Sequence, residues 1–188
     1  MLDKNPHAIG VRAEVISLVA IASLILVVSL ALPQILPAKI NQFVVGPIVN
    51  CALVAAALTF RRWWNVIAII CVPSVSAIMG GLVVLAAGNL TLLYMIPAIW
   101  VGNFALVSVF RLMNKEQETR SGLRFAATAA IAVCIKAGII FAGAILISGG
   151  GAAQVLWTAM GIIQLVTATM GCILAYGVIS LMQNQKKL

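Results

Sequence analysis

The chain has 188 residues, of which 63% are hydrophobic and only 9% are charged, and its formal net charge is +8. Soluble domains carry about 25% charged residues, so this composition excludes a soluble globular protein and predicts an integral membrane protein. The positive charge does not indicate nucleic-acid binding, because the basic residues lie in short runs between apolar stretches, where they set membrane orientation.

Six apolar segments each reach the roughly 20 residues that a membrane-spanning helix needs. The stretch after Arg12 is too long for a signal-peptide core, so we expect the first segment to be a retained helix. The sequence therefore predicts an all-α bundle of six transmembrane helices in a single domain over residues 1–188, with approximate spans 13–36, 42–60, 64–87, 91–112, 123–148 and 153–182.

Basic residues mark every second connection between these segments. Ten of the twelve Lys and Arg residues fall on one side of the predicted membrane, Lys39 lies alone on the other side, and Lys136 lies inside the fifth segment. By the positive-inside rule, both termini are cytoplasmic and the loops at 37–41, 88–90 and 149–152 face outward.

Acidic and nucleophilic groups are scarce. Asp3, Glu14, Glu116 and Glu118 are the only acids, and none lies at the mid-depth of a predicted helix, where ion-coupled carriers usually place them. The chain has one histidine, no paired carboxylates, no nucleophile motif and no metal-ligand spacing. We therefore expect no catalytic residue, no metal site and no cofactor. If the protein takes part in transport, its ATPase is a separate polypeptide.

Lys136 is the residue that most needs a partner. It lies near the middle of about thirty apolar or small residues, from Gly122 to Gly151, and a lysine at the centre of a transmembrane helix costs about 2.5 to 3.5 kcal/mol. We expect its counterpart to be a carboxylate or another acceptor on a bound solute. The alternatives are an uncharged amine, or an ammonium satisfied by Asn, Gln and backbone carbonyl oxygens.

Three amide side chains are predicted to lie at a similar depth to Lys136: Asn50 on the second helix, Asn103 on the fourth and Gln164 on the sixth. Counted from the outer ends at 1.5 Å per residue, all four lie roughly 12 to 18 Å down. We expect them to line a solute site. The alternative for the three amides is ordinary hydrogen bonding between helices.

Small residues repeat at three-and-four spacing around two of these side chains, a pattern that lets helix backbones approach closely. The pattern predicts that both side chains face the inside of the bundle. Gln164 is accompanied by Gly161, Ala168, Gly171 and Ala175, and Lys136 by Ala129, Ala132 and Gly143.

Two aromatic residues on the outer half of the fourth segment, Tyr94 and Trp100, are placed to stack on a ring of a bound solute. A structural role is the alternative for both. Trp63 and Trp64, beside two arginines, are typical of anchors at the membrane interface.

Two stretches resemble the membrane S components of energy-coupling factor (ECF) transporters. The first is the run VGPIVN at 45–50, followed by an Ala/Leu-rich helix and by Trp63-Trp64 opening a third helix that contains Pro73. The second is the run MIPAIWVGN at 95–103. The resemblance extends over the whole chain in length and in six-helix topology.

The resemblance implies a substrate-capture subunit of a bacterial plasma-membrane importer, which takes up a vitamin or related micronutrient with a transmembrane coupling subunit and two cytosolic ATPases. In that family the pocket opens outward between the later helices and the outer loops, at the level derived above for Lys136. Spaced small residues on the family's first helix dock on the coupling subunit, and their nearest match here is Ala13, Ser17 and Ala20.

Two other functions are compatible with the same residues. A structural or assembly protein of a larger membrane complex would pair Lys136 with a partner's acid, and would have Lys136 on a lipid-facing or partner-facing surface. A stand-alone carrier is disfavoured by the missing acids. The sequence does not specify the ligand, although a carboxylate-bearing vitamin suits a lysine better than a cationic one.

Overall fold

A computed structural model describes residues 6–36, 38–85, 91–113, 122–148 and 160–185, and within these ranges it contains helices and no strand. The predicted all-α, six-helix fold is confirmed. The helices are α1 (Pro6–Ile35), α2 (Ala38–Thr59), α3 (Trp63–Leu85), α4 (Thr91–Met113), α5 (Gly122–Ser148) and α6 (Ile162–Gln185).

Helix boundaries differ from the prediction mainly at two starts. α1 begins at Pro6, seven residues before the predicted span, because a polar sequence opened by proline can form a first helical turn that hydropathy does not detect. α2 begins at Ala38, so Asn41 is helical and not part of a loop. The predicted start of the last segment at 153, and the predicted loops at 88–90 and 149–152, lie outside the described residues.

Within the described ranges, five helices are long and apolar enough to cross a membrane, by length and composition. Over the part of α3 whose side chains are described, the apolar stretch is the shorter Trp63–Val75. The chain is therefore a multi-pass helical membrane protein. The inside-outside orientation stays a prediction.

Helix α2 occupies the centre of the bundle. It packs most extensively against α6, and it also contacts α1, α3 and α4. The other extensive pair is α4 with α5. The main apolar core lies among these central helices and includes the fully buried Leu53, Val54, Ile69, Leu106 and Phe110.

Glycines bring the two main helix pairs close together. Gly46 of α2 lies against the side chain of Thr167 on α6, and Gly171 of α6 lies against Asn50 and the carbonyl oxygen of Pro47. In the other pair, Gly102 of α4 lies against Ile140 of α5. In lipid the hydrophobic effect does not drive helices together. Small residues at these crossings instead stabilise the helix pairs through close van der Waals contact.

Candidate functional site

Lys136 lies inside the bundle with only 3% of its surface exposed. Its Nζ donates a hydrogen bond to Oδ1 of Asn50 on α2, at 2.5 Å, so the side chain reaches from α5 to the central helix. Two of the four polar residues predicted at one depth are thus in direct contact.

The amide of Asn50 is oriented by its own helix. Its Nδ2 donates to the carbonyl oxygen of Gly46, one turn earlier, at 2.9 Å. Because an amide has one donating and one accepting end, this bond leaves the oxygen to face Lys136. Asn50 therefore presents a fixed acceptor to the buried amine.

The backbone of α6 encloses this pair on one side. A Cβ atom on Gly171 would overlap the Cβ of Asn50 and would lie 2.8 Å from the carbonyl oxygen of Pro47. On the α4 side, a Cβ atom on Gly102 would lie 3.3 Å from the backbone oxygen of Lys136. Asn103, the residue that follows Gly102, is itself buried. Asn103 is therefore buried next in sequence to the residue at which α4 meets the lysine-bearing part of α5.

No carboxylate of the described ranges pairs with Lys136. Glu14 is the only acid there, and it serves another purpose. Its Oε1 accepts hydrogen bonds from the backbone N–H groups of Arg61 and Arg62 and from Nδ2 of Asn65, at 3.0, 3.3 and 2.9 Å. Glu14 therefore caps the start of α3 from α1.

The partner of Lys136 is the neutral oxygen of Asn50. A hydrogen bond to a charged group is worth about 1.5 to 3 kcal/mol, so this bond offsets much of the cost of burying an ammonium.

Arg111 completes the connection at this end of the bundle. Its Nη2 donates to the carbonyl oxygen of Arg61 at 2.7 Å, and its guanidinium carbon lies 4.2 Å from the centre of the Trp63 ring. Together with Glu14, it joins α1, the α2–α3 turn and α4 without any group from α5 or α6. We call these residues the Glu14 clamp, meaning Glu14, Arg61, Arg62, Asn65 and Arg111.

A small polar cavity of about 170 Å³ opens between the N-terminal ends of α2 and α6. Gly46 is common to the cavity and to the lysine pair, because its carbonyl accepts from Asn50 while the residue lines the cavity. The cavity therefore ends one helical turn from Asn50. Its lining residues are Asn41, Gln42, Val45, Gly46, Ile163, Gln164 and Thr167.

Asn41, one of the residues that line the cavity, has a buried side-chain oxygen, Oδ1, that no donor of the described residues reaches. The hydroxyl of Thr167, in contrast, donates to the carbonyl oxygen of Gln164 at 3.3 Å. A buried polar atom without a partner costs about 1 to 3 kcal/mol, so an N–H or O–H donor that reached this oxygen would be stabilising.

The remaining predicted site residues lie in different surroundings. Gln164 lines the cavity. Trp100 is 40% exposed and donates from Nε1 to Oγ of Ser74 on α3 at 2.7 Å, and Tyr94 is 61% exposed. Their contacts with a solute stay predictions. On α1, Ala13 and Ala20 are exposed and Ser17 is half-buried, and their docking role also stays a prediction.

Sequence reasoning missed two groups of residues. The sequence predicts Asn41 in a loop and Gln42 as the first residue of the second span, and it assigns neither to a site, although they lie five and four residues before Gly46. The cap by Glu14 had no sequence signal, because it joins residues 47 to 51 positions apart.

The residues of the site combine a buried amine, which offers up to three donors, with a neighbouring cavity lined by amide and hydroxyl side chains. The described residues contain no group of three or more His, Cys, Asp or Glu side chains that could hold a metal ion. Comparisons with known proteins gave no family model, no curated protein and no solved structure that matches this chain.

Proposed function

We propose that this chain is the solute-binding subunit of an ECF-type importer in a bacterial plasma membrane. The observation that carries the proposal is a buried lysine with no carboxylate partner in the described part of the chain, whose acceptor Asn50 lies one helical turn from Gly46 in the lining of a polar cavity. The charge distribution predicts that this cavity lies at the outer end of the bundle.

The two ends of the site suggest the kind of solute. The buried oxygen of Asn41 beside the cavity lacks a donor among the described residues, whereas Lys136 suits a carboxylate or another acceptor. A volume of about 170 Å³ holds about six groups the size of a water molecule, so the cavity fits one end of a micronutrient. Lys136 itself does not line the cavity, so a carboxylate on the solute meets the amine only when the packing around Asn50 opens.

The partners in this proposal follow from the family resemblance. A transmembrane coupling subunit and cytosolic ATPases supply the energy, and the exposed Ala13 and Ala20 on α1 with the half-buried Ser17 form the docking surface. The proposed subunit has no enzymatic activity of its own.

The burial of Lys136 weighs against a structural or assembly protein. That function would require the lysine at a surface where a partner's acid can reach it, whereas its side chain is 3% exposed and bonds to Asn50.

Ligand binding by the purified protein tests the proposal. We expect one micronutrient from a vitamin panel to raise the thermal stability of the detergent-purified chain without ATP, because a ligand that binds only the folded state stabilises it. A carboxylate-to-amide analogue should bind about tenfold more weakly. Absence of binding across the panel, with no ATPase subunit co-purifying from cells, would contradict the proposal.

A matched pair of variants locates the binding site. Gln164→Leu should weaken binding, because Gln164 lines the cavity, whereas Gln34→Leu on α1 should leave it unchanged, because Gln34 bonds only within its own helix at 3.1 Å. Equal affinities for the two variants would remove the cavity from the site.

A further inference from the structure

Helices α5 and α6 leave a second, larger opening on the other side of α6. It is an open groove of about 500 Å³, three times the volume of the polar cavity. Its lining is made largely of small and apolar side chains: Gly122, Phe125, Ala126, Ala129, Ala130, Val133 and Cys134 from α5, and Leu165, Thr169, Cys172, Ile173 and Tyr176 from α6.

The polar atoms of this groove indicate an apolar occupant. The hydroxyl of Thr169 donates to the carbonyl oxygen of Leu165 in its own helix, at 2.8 Å. The hydroxyl of Tyr176 lies at one end, 3.0 Å from where a Cβ atom on Gly122 would be. A tyrosine at the end of an apolar surface is typical of the level of lipid headgroups. The groove therefore has an apolar body and one polar end.

The dimensions of the groove match one acyl chain in one leaflet. From Gly122 to Cys134 it follows α5 for about 18 Å, and half of the hydrocarbon core of a bilayer is about 15 Å thick. If a methylene group is taken as about the size of a water molecule, roughly 30 Å³, the volume corresponds to about 16 methylene groups. A partner's transmembrane helix would cross both leaflets, whereas this groove extends over one.

The charges at the Gly122 end favour a negative headgroup. The first turn of α5 carries the exposed Arg124, which donates from Nη2 to the carbonyl oxygen of Met113 at 2.7 Å, and it contains no acid. The first backbone N–H groups of a helix lack intrahelical acceptors and give this end a partial positive charge. Both features attract a phosphate group.

We infer that this groove binds one acyl chain of an anionic phospholipid, with the headgroup at the start of α5. The inference is independent of the proposed import function, because none of the residues that line the polar cavity lines the groove. The bound acyl chain fills the space that α5 and α6 leave between them, so the two helices remain apart in the membrane.

Photocrosslinking of the full chain tests this inference. The protein is reconstituted in vesicles of phosphatidylglycerol that carry a diazirine on one acyl chain, and the crosslinked residues are mapped by mass spectrometry. We expect crosslinks concentrated on the groove-lining residues of α5 and α6. An even distribution over these residues and the exposed face of α1 would mean ordinary surrounding lipid and would overturn the inference.

A matched pair of variants provides the control. Ala126→Phe fills the groove and should reduce groove crosslinks about tenfold, a change that corresponds to 1.4 kcal/mol. Ala127→Phe, on the neighbouring exposed position outside the groove, should leave them unchanged. If Ala126→Phe does not fold by circular dichroism, Ala130→Leu replaces it. Equal crosslinking in the filled and control variants would overturn the inference.

Two further outcomes would also overturn it. If the wild type is a dimer by native mass spectrometry and the groove-filling variant is a monomer, the occupant is a second copy of the chain. If phosphatidylcholine with the same diazirine crosslinks as strongly as phosphatidylglycerol, the headgroup charge has no part in binding.

Discussion

The two faces of α6 show opposite ways of using small residues in a membrane bundle. Toward α2, Gly171 lies directly against Asn50, and Thr167 lies against Gly46. Toward α5, Ala126, Ala129 and Ala130 line an open groove of about 500 Å³. A small residue allows close packing only where another helix comes close enough to use the space.

The same difference distinguishes two openings of the molecule, one polar and one apolar. The tightly packed α2–α6 face holds Asn50 of the lysine pair and ends in a cavity of about 170 Å³. The loosely packed α5–α6 face leaves an apolar groove of three times that volume. Four predictions test whether substitutions on the tightly packed face lower the free energy of unfolding more than substitutions on the loosely packed face.

The largest effect is expected at the lysine pair on the tight face. Asn50→Leu should lower the free energy of unfolding by about 3 kcal/mol or more, because it leaves a buried amine without its acceptor. Lys136→Met should cost about 1 to 3 kcal/mol, because it leaves the oxygen of Asn50 unpaired. The double variant should be less destabilised than the sum of the two. Urea or thermal unfolding in detergent measures the cycle, and strict additivity would show that the two side chains do not interact.

A second prediction compares two glycines on α6. Gly171→Ala should cost about 1 to 3 kcal/mol, because its Cβ atom would meet Asn50 and two backbone atoms of α2. Gly177→Ala should stabilise the helix by about 0.5 to 1 kcal/mol, because nothing lies within 4 Å of its Cβ position. Melting temperatures in detergent would give opposite shifts. Shifts of the same sign would contradict the tight packing of α6 on α2.

A third prediction concerns the Glu14 clamp, which lies outside both faces of α6 and serves as a reference for them. Glu14→Ala should lower the free energy of unfolding by about 2 kcal/mol, because three donors at the start of α3 lose their acceptor. Glu14→Gln should lower it by about 1 kcal/mol, because a neutral oxygen accepts more weakly. Solute binding should not change in either variant when it is measured below the melting temperature. A loss of affinity without a loss of stability would link the clamp to the site.

The smallest effect is expected in the groove. Ala130→Leu should change the stability in detergent by no more than about 0.5 kcal/mol, because the added atoms enter open space. Ala127→Leu, which lies outside the groove, provides the comparison. A loss above 1 kcal/mol for Ala130→Leu alone would show that α5 and α6 are packed more closely than the groove indicates.

The sequence predicted the fold well because membrane helices have few solutions. Segment length, the basic residues between segments and a fixed rise per residue were sufficient to predict six helices and to bring Lys136 and Asn50 to one depth. Helix ends were less certain, since a first turn with polar residues has no hydropathy signal, and Asn41 was missed for this reason.

The arrangement of helices around the site could not be read from the sequence. Trp100 and Asn103 are three residues apart on α4, yet Trp100 is 40% exposed and bonds to Ser74 of α3, whereas Asn103 is 2% exposed. Similar small-residue stripes surround Gln164 and Lys136, and only the three-dimensional structure shows that α6 uses its stripe for close packing on α2 while α5 leaves part of its own open.

Pro47 gives the central helix a point at which it can bend. A proline cannot donate to the carbonyl of the residue four positions earlier, here Phe43, so the first turns of α2 are joined to the rest by one hydrogen bond fewer. Asn41 and Gln42 precede this position, and Asn50 follows it. We expect α2 to hinge at Pro47, so that the mouth of the polar cavity widens for an entering solute while Asn50 keeps its hold on Lys136.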